Sequence, residues 1–186
     1  MKHKTLAILP PEVKIEMKKN DRIENKQEQE RTETLNTQNE MYSRLLTFVQ
    51  KRKIYLEIQD IEKTNATLRR IGYPNGTSSE MTLDELAQAL GVDAILLSNY
   101  IFTQTKSVGF GIASAIIFFP YGTPYGIMMA TLPTNSADFN VRLYDGASGV
   151  LLYSYNDKFG RLNRKYVFLV DKATQKIGKK SPYYRK

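Results

Sequence analysis

Apolar positions in this chain alternate between two rhythms, and each change of rhythm marks an element. Thr5 to Leu9 is a short apolar run closed by Pro10 and Pro11, which predicts a buried first strand. Residues 11–34 are dense in charge of both signs and read as a solvated loop leading into an exposed helix start. Leu35, Tyr42, Leu45, Leu46 and Val49 then recur at helical spacing, and neither Gly nor Pro occurs from 12 to 71. The spacing predicts a helix over about 25–52 with its apolar stripe on a sheet. Ile54 to Ile58 suits a second strand. Asp60 can cap a short helix carrying Ile61, Leu68 and Ile71, closed by Gly72.

Thr82 and Glu85 form a capping box that opens a helix with Leu83, Leu86, Ala87 and Leu90, ended by Gly91. Val92 to Phe102 is the next strand. Beyond it, Asp138 to Tyr144 alternates, Asp145-Gly146-Ala147-Ser148-Gly149 is a hairpin connection, and Val150 to Tyr155 returns. Tyr166, Leu169, Val170, Ala173 and Ile177 predict a last helix ending at Gly178. The order β-α-β-α-α-β-insert-β-β-α implies a single-domain α/β sandwich over residues 1–186, with a core of about 5–178. Its mixed β-sheet is flanked by helices on one or both faces, and it carries a late β-hairpin and a hydrophobic insert at 107–137.

Three of these segments, in this order, resemble a bacterial envelope family. They are the opening Leu6-Ala7-Ile8-Leu9-Pro10, the step Leu86-Ala87-Gln88-Ala89-Leu90-Gly91-Val92-Asp93-Ala94-Ile95-Leu96, and the hairpin Arg142-Leu143-Tyr144-Asp145-Gly146-Ala147-Ser148-Gly149-Val150-Leu151-Leu152. The pattern looks like the N-terminal domain of the TolB protein, the curli-secretion (CsgG-like) lipoproteins, and the lipoprotein activators of penicillin-binding proteins. The resemblance implies a non-enzymatic domain in the periplasm or on the periplasmic face of the outer membrane, tethered by a lipidated Cys upstream. It implies envelope proteins, or copies of itself, as partners. In the curli-secretion pore, membrane hairpins arise from inserts in this domain.

Within the step, Gly91 suits a left-handed helix end, and Asp93 is expected to bond the tight turn before its strand.

Composition narrows the chemistry further. There is no Cys among the 186 residues and His3 is the only His, so thiolate metal sites, Cys nucleophiles and Ser-His-Asp triads drop out unless His3 itself folds into a site. Gly109-x-Gly111 lacks the rest of a dinucleotide fingerprint, and no Walker A pattern occurs. Asp138, Asp145 and Asp157 lie around the hairpin, where turn chemistry accounts for them. No catalytic residue, cofactor or metal is expected. The start Met1-Lys2-His3-Lys4 is basic, but the apolar run after it is shorter than the roughly 7–15 residues of a signal peptide. The sequence alone leaves a cytoplasmic protein or the mature part of an exported one; the resemblance implies the periplasm with the leader removed, with the cytoplasm as the alternative.

Two stretches stand out as contact surfaces. Ser107 to Ala137 has no charged residue over 31 positions. About 20 apolar residues can span a bilayer as a helix, but Pro120, Pro124 and the glycines at 109, 111, 122 and 126 break this run. It is either buried in the core or exposed to a partner, a second copy or a lipid surface. Phe118, Phe119, Tyr121, Tyr125, Ile127 and Met128 would make that contact. From Lys158 to Lys186 there are ten basic residues and one acid, which accounts for the chain's net charge of +8. Arg161, Arg164, Lys165, Lys172, Lys176, Lys179 and Lys180 are the candidates for an anionic surface, with a basic tail at 179–186. Tyr166, Tyr183 and Tyr184 among these charges could stack on bases, so a nucleic-acid-binding module is the alternative function.

Overall fold

The computed structural model describes residues 3–17, 25–51, 54–74, 81–104, 135–162 and 166–184. They form strands β1 (Thr5–Ile8), β2 (Glu12–Met17), β3 (Glu57–Ile58), β4 (Ala94–Gln104), β5 (Asn135–Asp145) and β6 (Leu151–Leu162). The helices are α1 (Lys26–Gln50), α2 (Ile61–Arg70), α3 (Leu83–Leu90) and α4 (Tyr166–Lys180). The sheet order is β3-β1-β4-β5-β6, with β2 also on β4. β1 pairs in parallel with β3 and β4, and β2 in parallel with β4; β4, β5 and β6 form an antiparallel meander. This is the mixed α/β sandwich expected.

One face of the sheet carries the larger core. Leu6, Ile8, Leu96, Tyr100, Phe102, Phe139, Val141 and Leu143 pack there against Met41 and Leu45 of α1 and Val170, Ala173 and Ile177 of α4. The other face is apolar at one end only, where Ala7, Leu9 and Ile95 meet Leu68 of α2 and Leu86, Ala87 and Leu90 of α3. Helices therefore lie on both faces. Burying each of these large side chains contributes about 1.5–3 kcal/mol. A reciprocal amide pair ties three elements: the buried Gln38 donates to the Ile8 carbonyl and to Asn65 Oδ1, and Asn65 donates back to Gln38 Oε1.

The helix ends follow their sequence signals. Asp60 accepts from the N–H groups of Glu62 and Lys63, and Thr82 N–H donates to Glu85. Gly91 closes α3 in the left-handed region, at φ 67°.

Four local expectations are corrected. The stretch read as a solvated loop begins with β2, whose residues alternate exposed and buried, with Val13 and Ile15 in the core. Leu35 is 48% exposed. It sits about 120° around the helix from Met41, since each residue turns about 100°, and the buried stripe runs Thr37, Gln38, Met41, Leu45. The strand expected at 54–58 is reduced to Glu57–Ile58, while Ile54 bridges to Tyr184. Gly178 does not end α4, which runs on to Lys180; a Cβ there would come within 2.7 Å of the Phe48 ring.

Candidate functional site

The apolar contact residues proposed from sequence, Phe118, Phe119, Tyr121, Tyr125, Ile127 and Met128, lie outside the described residues. The structure does describe where their segment is rooted. β4 and β5 are paired from Ala94–Asp145 through to Thr103–Ser136. β4 therefore ends and β5 begins at neighbouring positions, at the far end of a ten-pair antiparallel ladder, and residues 105–134 lie between them in sequence. Among the described residues, no helix is long and apolar enough to cross a membrane.

Of the basic candidates, Arg164 and Lys165 lie outside the described residues, and Arg161 is described only as backbone in β6. Lys172, Lys176 and Lys180 recur every four residues, so they share one flank of α4. That flank faces aromatic residues of β6. Lys172 Nζ is 4.7 Å from the Phe159 ring centre, Lys176 is 5.1 Å from it, and Lys180 is 5.0 Å from the Tyr155 ring centre. Such contacts contribute about 0.5–1 kcal/mol each where exposed.

Lys176 also pairs with Asp157, to which Tyr155 OH donates at 2.9 Å. The bond to Asp157, with Tyr155 next, raises the Lys176 ammonium above its ordinary value, and the same bond holds Asp157 below the usual carboxylate range. Lys179 is exposed. The structure thus brings three of the basic candidates together over an aromatic strip.

The three segments that carry the family resemblance meet at one end of the sheet. Asp93 Oδ2 accepts from the N–H groups of Lys4 (2.8 Å) and Thr5 (2.9 Å) and from the Thr5 hydroxyl (3.0 Å). It caps the start of β1, rather than the turn beside it as the sequence led us to expect. Those backbone N–H bonds hold its carboxyl below the ordinary range.

Gly146 N–H donates to the Asp93 carbonyl at 2.8 Å, and a Cβ on Gly146 would lie 2.8 Å from Ala87 Cβ. Only glycine fits that approach. Asp145 Oδ2 accepts from the Ser148 N–H at 2.8 Å and from the Ser148 hydroxyl. His3 bridges Asp145 Oδ1 and the Tyr183 hydroxyl, at 2.6 Å to each. The one histidine is thus spent on tying both ends of the chain to the hairpin. Turn chemistry accounts for Asp145 alone; Asp138 and Asp157 lie within strands and pair with Lys158 and Lys176.

Two features were missed in sequence. One is a cavity of about 580 Å³ between the Pro10-Pro11 bend, α1 and α2, lined by Leu35, Asn65, Arg69 and Tyr73 among others. The prolines and the stray Leu35 were its only signals. The other is a polar array on the second face of the sheet, visible only once the strand register is known. Among the described residues, no group of three or more His, Asp or Glu is placed to hold a metal ion.

No family model and no curated protein matches the chain. Among solved structures, it is similar to the lipoprotein GNA1162 from Neisseria meningitidis, at 17% identity over 94% of each chain with a TM-score of 0.45. It is similar to the hypothetical protein CT253 from Chlamydia trachomatis, at 14% identity over 84% of this chain and 71% of that one, TM-score 0.42. It is also similar to the LpoB C-terminal domain from Escherichia coli, at 12% identity over 85% of this chain and 83% of that one, TM-score 0.37.

Proposed function

We propose that this chain is a non-enzymatic adaptor domain of the bacterial cell envelope. It faces the periplasm and meets other envelope components, or copies of itself, through the uncharged insert 107–137. The observation that carries this reading is the rooting of the insert. The antiparallel ladder of β4 and β5 ends within a 31-residue stretch without charge, at the opposite end from the contact of His3 with Tyr183. A long hairpin is a sound arm for presenting contact residues, because its backbone bonds are satisfied internally. The convergence of Leu6–Leu9, Asp93 and the Asp145–Gly149 turn on one end supports the family resemblance, since residues that recur together there do one structural job.

Within the insert, Phe118, Phe119, Tyr121, Tyr125, Ile127 and Met128 are the proposed contact residues. The nucleic-acid alternative rests on the C-terminal basic residues. Lys172, Lys176 and Lys180 lie over rings and Lys176 is paired with Asp157, so less unpaired charge faces outward than a count of Lys and Arg implies.

The test replaces residues 108–132 with a short Gly-Ser linker and, separately, places a photo-cross-linking amino acid at position 121 or 154 in protein exported to the periplasm. The linker variant should keep its far-UV circular dichroism and lose any self-association of the intact chain. Position 121 should yield discrete adducts that position 154 does not. Unchanged assembly in the linker variant, together with equal adducts at both positions, would sink the proposal.

A further inference from the structure

Beyond α2 and α3, the second face of the sheet carries two registered rows of side chains. Glu12, Asn99, Asn140 and Asn156 pair across β2, β4, β5 and β6. Lys14, Ile101, Asp138 and Lys158 pair across the same four strands, two residues along. Neighbouring strands lie about 4.8 Å apart and the rows about 7 Å apart, so the eight side chains form a flat grid. Its side chains are half-exposed to exposed. A shallow open cavity of about 410 Å³ lies over it, lined by Asn99, Ile101, Asp138, Asn140, Asn156 and Lys158.

Two properties of the grid select its ligand. The first is charge. Two acids and two lysines cancel, and they cancel locally: Lys14 is 2.9 Å from Glu12 and Lys158 is 2.9 Å from Asp138. A phosphate polymer finds no net field here, and a protein partner finds one apolar side chain, Ile101, where an interface needs an apolar centre.

The second property is hydrogen-bonding capacity. Three asparagine amides stand in a row, and such amides suit groups that both donate and accept; Asn99 Nδ2 already donates to Glu12 Oε2 at 2.6 Å and keeps one further N–H. On β5, Asp138 Oδ1 and Asn140 Oδ1 lack a hydrogen-bond partner but are shielded from solvent, as is Arg142 Nε two residues further on, so a ligand hydroxyl reaches either oxygen only when its side chain turns outward. Buried acceptors without donors are rare in folded proteins, and such a turn gives each oxygen the donor it lacks.

We infer that this face binds a neutral glycan. The chain of sugars lies across the strands, roughly one ring per strand. Its hydroxyls bond the amides of Asn99, Asn140 and Asn156 and the free oxygen of Asp138, and one sugar face rests on Ile101. This reading does not depend on the insert or on the compartment.

The test is titration of the full ¹⁵N-labelled chain with cellohexaose, chitohexaose and maltohexaose. The side-chain amide resonances of the three asparagines are followed by NMR and affinity is measured by calorimetry. At least one sugar should shift all three sets saturably, with an affinity that holds as salt is raised. Asn140→Ala and Asn156→Ala, with unchanged circular dichroism, should each weaken that affinity about tenfold, the loss of one good hydrogen bond. Asn156 is exposed on an edge strand, so its variant should fold even if Asn140→Ala does not. Absence of saturable shifts with all three sugars overturns the inference, and so does an affinity unchanged from the parent's in both variants. It is also overturned if deleting residues 108–132 moves these amides without sugar, because the chain would then cover the face itself.

Discussion

One oxygen of Asp93 accepts three hydrogen bonds from residues 88 and 89 positions away, and Asp145 links His3 to the hairpin turn across 142 positions. Neither reach was legible in the sequence, where both aspartates look like ordinary turn residues. Local patterning reports on neighbours within a few residues, and these partners become neighbours only when β1, β4 and β5 pair. The bonds leave a pH signature. Backbone N–H groups of Lys4 and Thr5 hold Asp93 below its ordinary value of about 4, and the Ser148 hydroxyl, then His3, does the same at Asp145. The folded state therefore binds these protons less tightly than the unfolded chain. Their stabilisation is full above about pH 4 and is lost as pH falls below it toward the depressed values. Asp93→Asn with Asp145→Asn should flatten the acid limb of a urea-midpoint-against-pH curve, and Asp93→Ala should cost about 2 kcal/mol at neutral pH. An acid limb as steep in the double variant as in the parent would refute this. Tyr183 acts at the other extreme. Burial, then the charges of Asp145 and Asp93, push its hydroxyl up to about 12. Unfolded tyrosine ionises near 10, so its contribution is full below about pH 10 and is lost as pH rises toward 12. Tyr183→Phe should shrink the fall in midpoint between about pH 10 and about pH 12. The buried Tyr100, also displaced upward, should leave part of that fall in place.

At the scale of elements, the sequence showed most of the order, and its misses share a cause. Glu12-Val13-Lys14-Ile15-Glu16-Met17 alternates as a half-buried strand should, yet its charge density reads as solvent exposure. The charges are real and face outward; the alternate residues enter the core. Gly178 was mistaken for a stop because glycine is common just past helix ends. Its reason is instead the packing of α4 on α1, since a Cβ would sit 2.7, 2.9 and 3.0 Å from three atoms of the Phe48 ring. Gly178→Ala then sets two effects against each other. Helix propensity favours alanine by about 1 kcal/mol, and overpacking costs about 1–3 kcal/mol. With contacts this short the clash should win, giving a net loss of about 1 kcal/mol and a lower Tm. Adding Phe48→Leu should recover it, which a double-mutant cycle reads as coupling. A Gly178→Ala variant that gained stability would mean that the two helices part easily.

At the scale of the whole molecule, the first and last described residues meet at one end of the sheet, and the β4–β5 ladder runs out at the other. His3 and Tyr183 are in contact at 2.6 Å, and Ile54 bridges Tyr184 beside the same core. β4 and β5 are held by their ladder from Ala94–Asp145 to Thr103–Ser136, which does not require the chain between them to be continuous. A circular permutant should therefore fold, with residues 184 and 3 joined by a short Gly-Ser linker and new termini near 132 and 108. The new linker spans ends already adjacent, so its closure entropy is small, and opening the insert removes a loop whose length costs only slowly in any case. The expected result is an unchanged near-UV circular dichroism spectrum and a stability within about 2 kcal/mol of the parent. The uncharged run at 107–137 was legible from composition alone, whereas the asparagine rows were not, because they depend on the register of four strands. The permutant separates the two surfaces. It cuts the insert and leaves the grid intact, so it should lose contacts made through Phe118, Phe119, Tyr121 and Tyr125 while keeping any glycan binding at Asn99, Asn140 and Asn156. A permutant that aggregates, or that folds only when residues 108–132 are supplied as a separate peptide, would show that this segment packs on its own chain and is no docking arm.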